Sequence, residues 1–233
     1  MDAARRHYPV ALSAEVLALA WARQEAAAAG SVVVVDHEIS PRGRLGRLWP
    51  HPPEQTAALA MVWRPAVGAE AADLLWSAAS LALLQAVDEL LGGERARLWY
   101  PDEIHDGAGR LLGAVRAEAQ LGPGGVTSAV LTARIDLEGV GRRTRRDVLA
   151  TLEGALTTAA DQLELDPTGV RSACDRRSAL LGQRAIAHLL PKGEVRGVAG
   201  GIDVCGALEL VSATGLRQRV PVVGLDRLSV VER

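Results

Sequence analysis

Three arginines alternate with two glycines in Pro41-Arg42-Gly43-Arg44-Leu45-Gly46-Arg47-Leu48-Trp49, a segment that follows the apolar run Ser31-Val32-Val33-Val34-Val35 and Asp36. A guanidinium presents a planar fork of donors that matches phosphate or carboxylate. Glycine lets backbone approach a ligand closely, and an indole can cover a flat ring. A buried strand that empties into such a loop reads as an anion site at the end of a sheet. The same composition also suits a solvated Arg/Gly loop. Farther along, Trp99-Tyr100-Pro101-Asp102-Glu103-Ile104 sets two adjacent carboxylates after a proline, with Arg110 seven residues beyond Glu103. These carboxylates also suit an ordinary turn.

The elements that position these residues follow from periodicity. Ser13 as N-cap, with Val16, Leu17, Ala20 and Trp21 at helical spacing and Gly30 as the stop, predicts a helix over 13–29. Strands are predicted over 31–35, 56–63 and 97–100, and a long Ala/Leu helix over 69–91 ended by Gly92-Gly93. Leu121-Gly122-Pro123-Gly124-Gly125 reads as the turn joining strands 111–120 and 126–137. Helices are predicted over 147–163 and 168–181. After Gly182 come short strand-like runs at 184–190, 195–202, 207–211, 217–222 and 228–231, the pattern of a small all-β barrel. The expected organisation is therefore α+β, with one unit over 1–181 and a second over 182–233.

At 233 residues, 48% hydrophobic and 23% charged, the chain can bury one large core with a satellite unit. A net charge of -2 argues against a dedicated nucleic-acid binder, which would usually carry a basic excess. Cys174 and Cys205 form neither a disulfide framework nor a metal spacing and read as reduced thiols of a cytoplasmic protein. No apolar run reaches the length of a membrane span, and Arg5 and Arg6 are not followed by a signal-peptide core. The five histidines, His7, His37, His51, His105 and His188, form no metal cluster, and no Gly-x-Ser-x-Gly elbow occurs. The run Arg142-Arg143-Thr144-Arg145-Arg146 reads as a solvated loop, with an acidic partner as the alternative.

The Arg/Gly segment resembles the Gly-Arg-Gly-Arg-x-Gly-Arg-x-Trp loop of the biotin protein ligases, in the wider biotin/lipoate ligase family. The similarity runs from about Ser13 to the C-terminus. It implies a mixed sheet flanked by helices, then a small SH3-like β-barrel. It further implies ATP and Mg²⁺ as cofactors, activation of a small carboxylic acid as its acyl-adenylate, and transfer to a carrier-protein lysine. By this resemblance Arg42, Gly43, Arg44, Gly46 and Arg47 face phosphates, and Trp49 faces adenine. Asp102 and Glu103 stand for the family's Asn-Asp pair, with Glu103 the metal ligand. Arg110 stands for the catalytic lysine that precedes Gly113, so Arg44 and Arg110 are the expected catalytic cations. Ser13 and Glu38 border the acyl pocket, and Asp136 closes the strand Thr132-Ala133-Arg134-Ile135-Asp136. Family members often pair as homodimers, which adds a dimer as the candidate assembly. The dozen residues before the first helix leave no room for a DNA-binding domain, so no nucleic-acid or membrane partner is expected.

The departures from the family pattern concentrate in the site. Pro41 replaces a loop glycine and removes an N–H. Trp99 replaces a lysine, and Thr132 and Arg134 add bulk where the family has glycines. Glu38 and Asp102 put carboxylates where neutral amides would recognise a ureido ring, and a buried carboxylate needs a cation or a proton. Two functions follow. One is ATP-dependent activation of an acid, biotin by default or a different acid whose amine pairs with Glu38 or Asp102. The other is a non-catalytic relative that binds a ligand or a partner.

Overall fold

The computed structural model describes residues 2–141 and 143–231. A seven-stranded sheet forms its larger part, in the order β1-β2-β3-β7-β6-β5-β4: β1 (Arg5–Ala11), β2 (Val32–Glu38), β3 (Thr56–Trp63), β7 (Gly125–Asp136), β6 (Leu111–Gly122), β5 (Glu103–His105) and β4 (Arg97–Trp99). The valine run makes β2 an inner strand, because branched side chains pack well on a pleated surface. β1 pairs parallel to β2 and all other neighbours are antiparallel, giving a mixed sheet. Sequence periodicity did not find β1, whose Arg5, Arg6 and Pro9 belong on an exposed edge. The parallel pair requires a crossover, which α1 (Ala14–Gln24) supplies.

α1 is shorter than the predicted 13–29. Ser13 caps it through a bond from the Val16 N–H at 3.2 Å, as expected, but Ala26 has a φ of +50° and leaves the helix. Tertiary contacts override the alanine-rich propensity. The Ala27 carbonyl accepts from Arg64, and Gly30 N–H donates to the Val62 carbonyl at 2.8 Å. α1 packs on one face of the sheet against Val33, Val35, Ala60, Val62 and Val130.

The opposite face carries the large core beneath α2 (Leu74–Leu91) and α3 (Arg145–Leu165). α2 starts five residues later than predicted, after a single 3-10 turn at Ala69–Ala71. At 18 residues and a mean hydropathy of 1.4, α2 is long and apolar enough to cross a membrane, which corrects the expectation of no such run; 72% of it is buried inside the fold as the core helix. Gly92 ends it in the left-handed conformation that favours glycine. α4 (Pro167–Arg177) stops short of 181 because Ser178 and Ala179 pair with Leu98 of β4. Thr144 caps α3, so the arginine run enters a helix. Arg143 donates to the Leu90 carbonyl, and Arg145 donates to those of Asp36 and Pro53. These are clamps between elements, which corrects the reading of the run as a solvated loop; Arg142 lies outside the described residues.

The C-terminal strands form a separate antiparallel sheet in the order β11-β10-β9-β8-β12, consistent with the SH3-like unit: β8 (Arg184–Leu189), β9 (Glu194–Ile202), β10 (Leu208–Val211), β11 (Arg217–Val220) and β12 (Leu225–Val230). A 3-10 turn at Val222–Gly224 is the helical piece that the all-β expectation omitted. The second sheet is docked firmly. Leu208, Val222 and Leu225 join the same buried cluster as α2, and Tyr100 donates its hydroxyl to the Gly206 carbonyl at 2.9 Å. A Cβ at Gly206 would sit 2.3 Å from the Asp73 backbone, so only glycine permits this approach to the start of α2.

Candidate functional site

The Arg/Gly loop lies over the strand ends of the larger sheet and against β12 of the smaller one. It is built as a closed turn. Gly43 N–H donates to the Arg47 carbonyl at 2.8 Å, and Arg42 donates to the Gly46 carbonyl at 2.9 Å. Leu45 sits at a φ of +55°, a left-handed conformation that a branched side chain adopts only under constraint. That constraint is Arg44. Its guanidinium is buried and donates to the Asp102 carboxylate at 3.1 Å, to the Asp226 carbonyl at 3.0 Å, and to the Leu225 carbonyl. Arg47 donates to the carbonyl and carboxylate of Asp226 at 2.8 and 3.0 Å.

The same self-satisfaction extends through the expected acyl pocket. Glu38 and Arg134 form a buried two-point pair, with Nε to Oε2 at 2.7 Å and Nη2 to Oε1 at 3.0 Å. Glu38 also accepts from the Ala14 N–H at 2.8 Å, and Arg134 donates to the Arg42 carbonyl at 3.1 Å. Beside it, Arg116 of β6 meets Glu15 at 3.0 Å, pairs with Glu118, and donates to the Gly43 carbonyl at 3.2 Å. Burial raises the Glu15 carboxyl above its ordinary range, and the Arg116 charge opposes that shift. The Asp102 carboxyl is pushed up to about 6, again by burial, with Arg44 pulling against it.

The remaining expected residues are also engaged. Arg110 donates to Asp136 at 2.6 Å, and Asp136, fully buried, also accepts from the Glu138 and Gly139 N–H groups at 3.1 Å. Glu103 accepts from His105 at 2.9 Å, while the other His105 ring nitrogen lies 3.1 Å from the Gly109 carbonyl. With acceptors on both nitrogens the ring favours its doubly protonated form. Accordingly the Glu103 hydrogen bond raises the His105 pKa, and that of Glu103 is lowered. Trp49 is buried and donates its indole N–H to Thr56 Oγ1 at 2.8 Å, so its ring is part of the floor. Ser13 serves as the cap of α1. Gly113 faces the core: a Cβ there would meet the Arg134 carbonyl at 2.7 Å and Leu83 at 3.2 Å, so its smallness serves strand and helix packing.

Between Arg44, Trp49, Asp102, Glu103, Ala114 and Arg134 the open space is about 50 Å³, whereas a cavity of about 330 Å³ adjoins it where Arg44 and Leu45 face Trp76, Arg116, Glu118 and Val223. Small-molecule sites run to about 300–1,000 Å³, so the smaller space suits a water or two and the larger one is of small-ligand size. No group of three His, Cys, Asp or Glu residues among the described residues is placed to hold a metal ion. As arranged, Arg44 is bonded to protein acceptors and Glu103 is held by His105, whereas Arg42 and Arg47 are the exposed cations of the loop.

Sequence reasoning thus named most members of this cluster but missed its pairing. Arg116 was not singled out, and nothing in the sequence marks the Leu225 and Asp226 carbonyls as acceptors. The available signal was compensation. Glu38 and Arg134 depart from the family pattern with opposite charges, and the pair they form is the reason both can be buried.

No family model and no curated protein matches this sequence. The fold, in contrast, matches solved structures over almost the whole chain. A biotin protein ligase from Aquifex aeolicus in complex with biotin and ATP superposes with a TM-score of 0.76 at 15% identity, covering 97% of this chain and 99% of that one. A biotin protein ligase-like protein of unknown function from Silicibacter sp. gives 0.73 at 14% identity, covering 94% of each chain. The biotin acetyl coenzyme A carboxylase synthetase of Helicobacter pylori, with bound biotinylated ATP, gives 0.65 at 13%, covering 94% of this chain and 100% of that one. The mixed sheet and the docked C-terminal sheet therefore belong to one architecture: this chain has the biotin protein ligase fold.

Proposed function

We propose that this chain uses the biotin protein ligase fold as a non-catalytic binding protein, and that it does not activate biotin. The observation that carries this reading is the buried Glu38–Arg134 pair, which fills the position the resemblance assigns to the acyl group. Admitting a ligand there means separating two buried charges, and a broken buried pair costs about 3–5 kcal/mol. A neutral ureido ring offers each group a hydrogen bond, through its carbonyl to Arg134 and its N–H to Glu38, but no opposite charge to replace the one it would separate. The arginines expected to hold phosphate are likewise bonded to Asp102, Asp226 and backbone carbonyls.

A second reading, ATP-dependent activation of a different carboxylic acid, is favoured by the exposure of Arg47 and its single-residue partner Asp226. Pyrophosphate exchange on the whole protein separates the two. ATP with Mg²⁺ is supplied with biotin, lipoate or a panel of amino-substituted acids, alongside calorimetric titration of ATP. Under our reading no acid drives exchange and ATP gives no saturable heat. Formation of biotinyl-adenylate, or exchange dependent on any one acid, would overturn it.

A further inference from the structure

On the sheet face opposite Arg134, a cavity of about 290 Å³ opens between the end of β3 and the C-terminal half of α3. Met61, Trp63 and Pro65 form an apolar wall, and Ala160 faces them from the helix. Its lining holds two carboxylates against one guanidinium, a net negative charge. Asp161 and Glu164 stand one helical turn apart on its rim, both exposed, and neither has a side-chain partner among the described residues. The cation in the lining, Arg64, is bonded elsewhere: it donates to the Ala27 carbonyl at 2.9 and 3.1 Å and to the Thr127 carbonyl at 3.3 Å. The last turn of α3 carries no basic residue. A helix C-terminus presents partial negative charge and favours a cation nearby, so helix end and carboxylates act in the same direction.

We propose that this cavity is a binding site for a small organic cation, an ammonium carried on an aromatic or aliphatic body, with the body against Met61 and Trp63 and the charge between Asp161 and Glu164. The volume holds a ligand at the small end of the usual range of about 300–1,000 Å³. Anions are disfavoured by the same charges. The proposal goes beyond the reading of the Arg/Gly site and does not depend on it, because no residue is shared and the two lie on opposite faces of the sheet.

The test uses the intact protein and three probes with closely similar bodies: 2-phenylethylammonium, neutral 2-phenylethanol and anionic 3-phenylpropanoate. Binding is followed by NMR shifts of the amides over 157–164. The ammonium should bind best and the carboxylate worst. Asp161→Asn with Glu164→Gln, both at exposed positions, should erase the preference for ammonium over alcohol, a change of about tenfold for two screened charge contacts. Ala160→Met, which fills the cavity, should abolish binding of all three. Equal binding of ammonium and alcohol, a preference that survives the double neutralisation, or binding unaffected by Ala160→Met would each overturn the proposal. So would failure of the ammonium to saturate the site below about 10 mM, which corresponds to less than about 3 kcal/mol of binding.

Discussion

Replacing Glu38 by glutamine changes one atom type and should be among the most damaging single substitutions in this chain. In the native site Arg134 gives two charge-assisted bonds to Glu38, at 2.7 and 3.0 Å, with both side chains almost wholly excluded from solvent. Glutamine can keep the bond from the Ala14 N–H, but its amide N–H₂ then faces a guanidinium, donor against donor. Arg134 is left as a buried cation whose acceptors, the glutamine Oε1 and the Arg42 carbonyl, are both neutral. Breaking one partner of a buried pair costs about 3–5 kcal/mol, which lies inside the about 1.5–6 kcal/mol spanned by one or two charge-assisted bonds. For a chain of this size about 2–4 °C of melting temperature corresponds to each kcal/mol, so a fall of roughly 6–20 °C is expected. Arg134→Met should be similarly destabilising, because it strands the carboxylate. The double substitution leaves no unpaired charge and should recover most of the loss. A double-mutant cycle by denaturant unfolding should therefore return a coupling of about 2 kcal/mol or more. Additivity of the two substitutions within about 0.5 kcal/mol would refute the idea that they close the pocket as a unit, and with it the main support for a non-catalytic site.

Asp102 predicts an unusual pH dependence. Its folded-state pKa of about 6 lies above the ordinary 3.8, so between those values the folded chain holds a proton that the unfolded chain has released. Its contribution is fully present below about pH 4 and is lost as pH rises through 6, a change of about 3 kcal/mol at 1.36 kcal/mol per unit. Comparing unfolding free energies from pH 4 to 7 for the native chain and Asp102→Asn should show that downward slope removed in the variant; parallel curves would contradict the assignment. For the thiols, burial pushes Cys174 up to about 12, so alkylation at pH 8 in the native state should label Cys205 and spare Cys174. Mass mapping checks this directly, with both labelled after denaturation; rapid native labelling of Cys174 would contradict its burial.

The fold was legible wherever a local pattern decided it. The valine run, the Thr56–Trp63 strand, the Pro-Gly hairpin and the short C-terminal strands fall where period and turn chemistry put them. Boundaries failed where tertiary bonds override propensity, as at Ala26–Ala29 and after Arg177. β1 failed because an edge strand carries little hydrophobic alternation. In the site, residue identity was legible and partnership was not. Glu38 and Arg134 lie 96 positions apart, and a single sequence does not record that two departures answer each other. Arg44 illustrates the limit most sharply. Its place in an anion-binding motif pointed to phosphate, whereas its acceptors are a carboxylate and two main-chain oxygens supplied by other segments.

That last contact also orders events in time. Arg44 and its Leu225 acceptor are separated by 181 residues, so the loop cannot reach its final shape until the last strand has left the ribosome. Before then its guanidinium has only Asp102, and Leu45 has no reason to hold a left-handed backbone. Most of the larger sheet pairs between near neighbours in sequence and can assemble during synthesis, since contacts of short separation form early. The loop is instead a finishing latch. Nascent chains arrested before Leu225 would carry a formed sheet with an open Arg/Gly segment, and full-length chains would carry it shut.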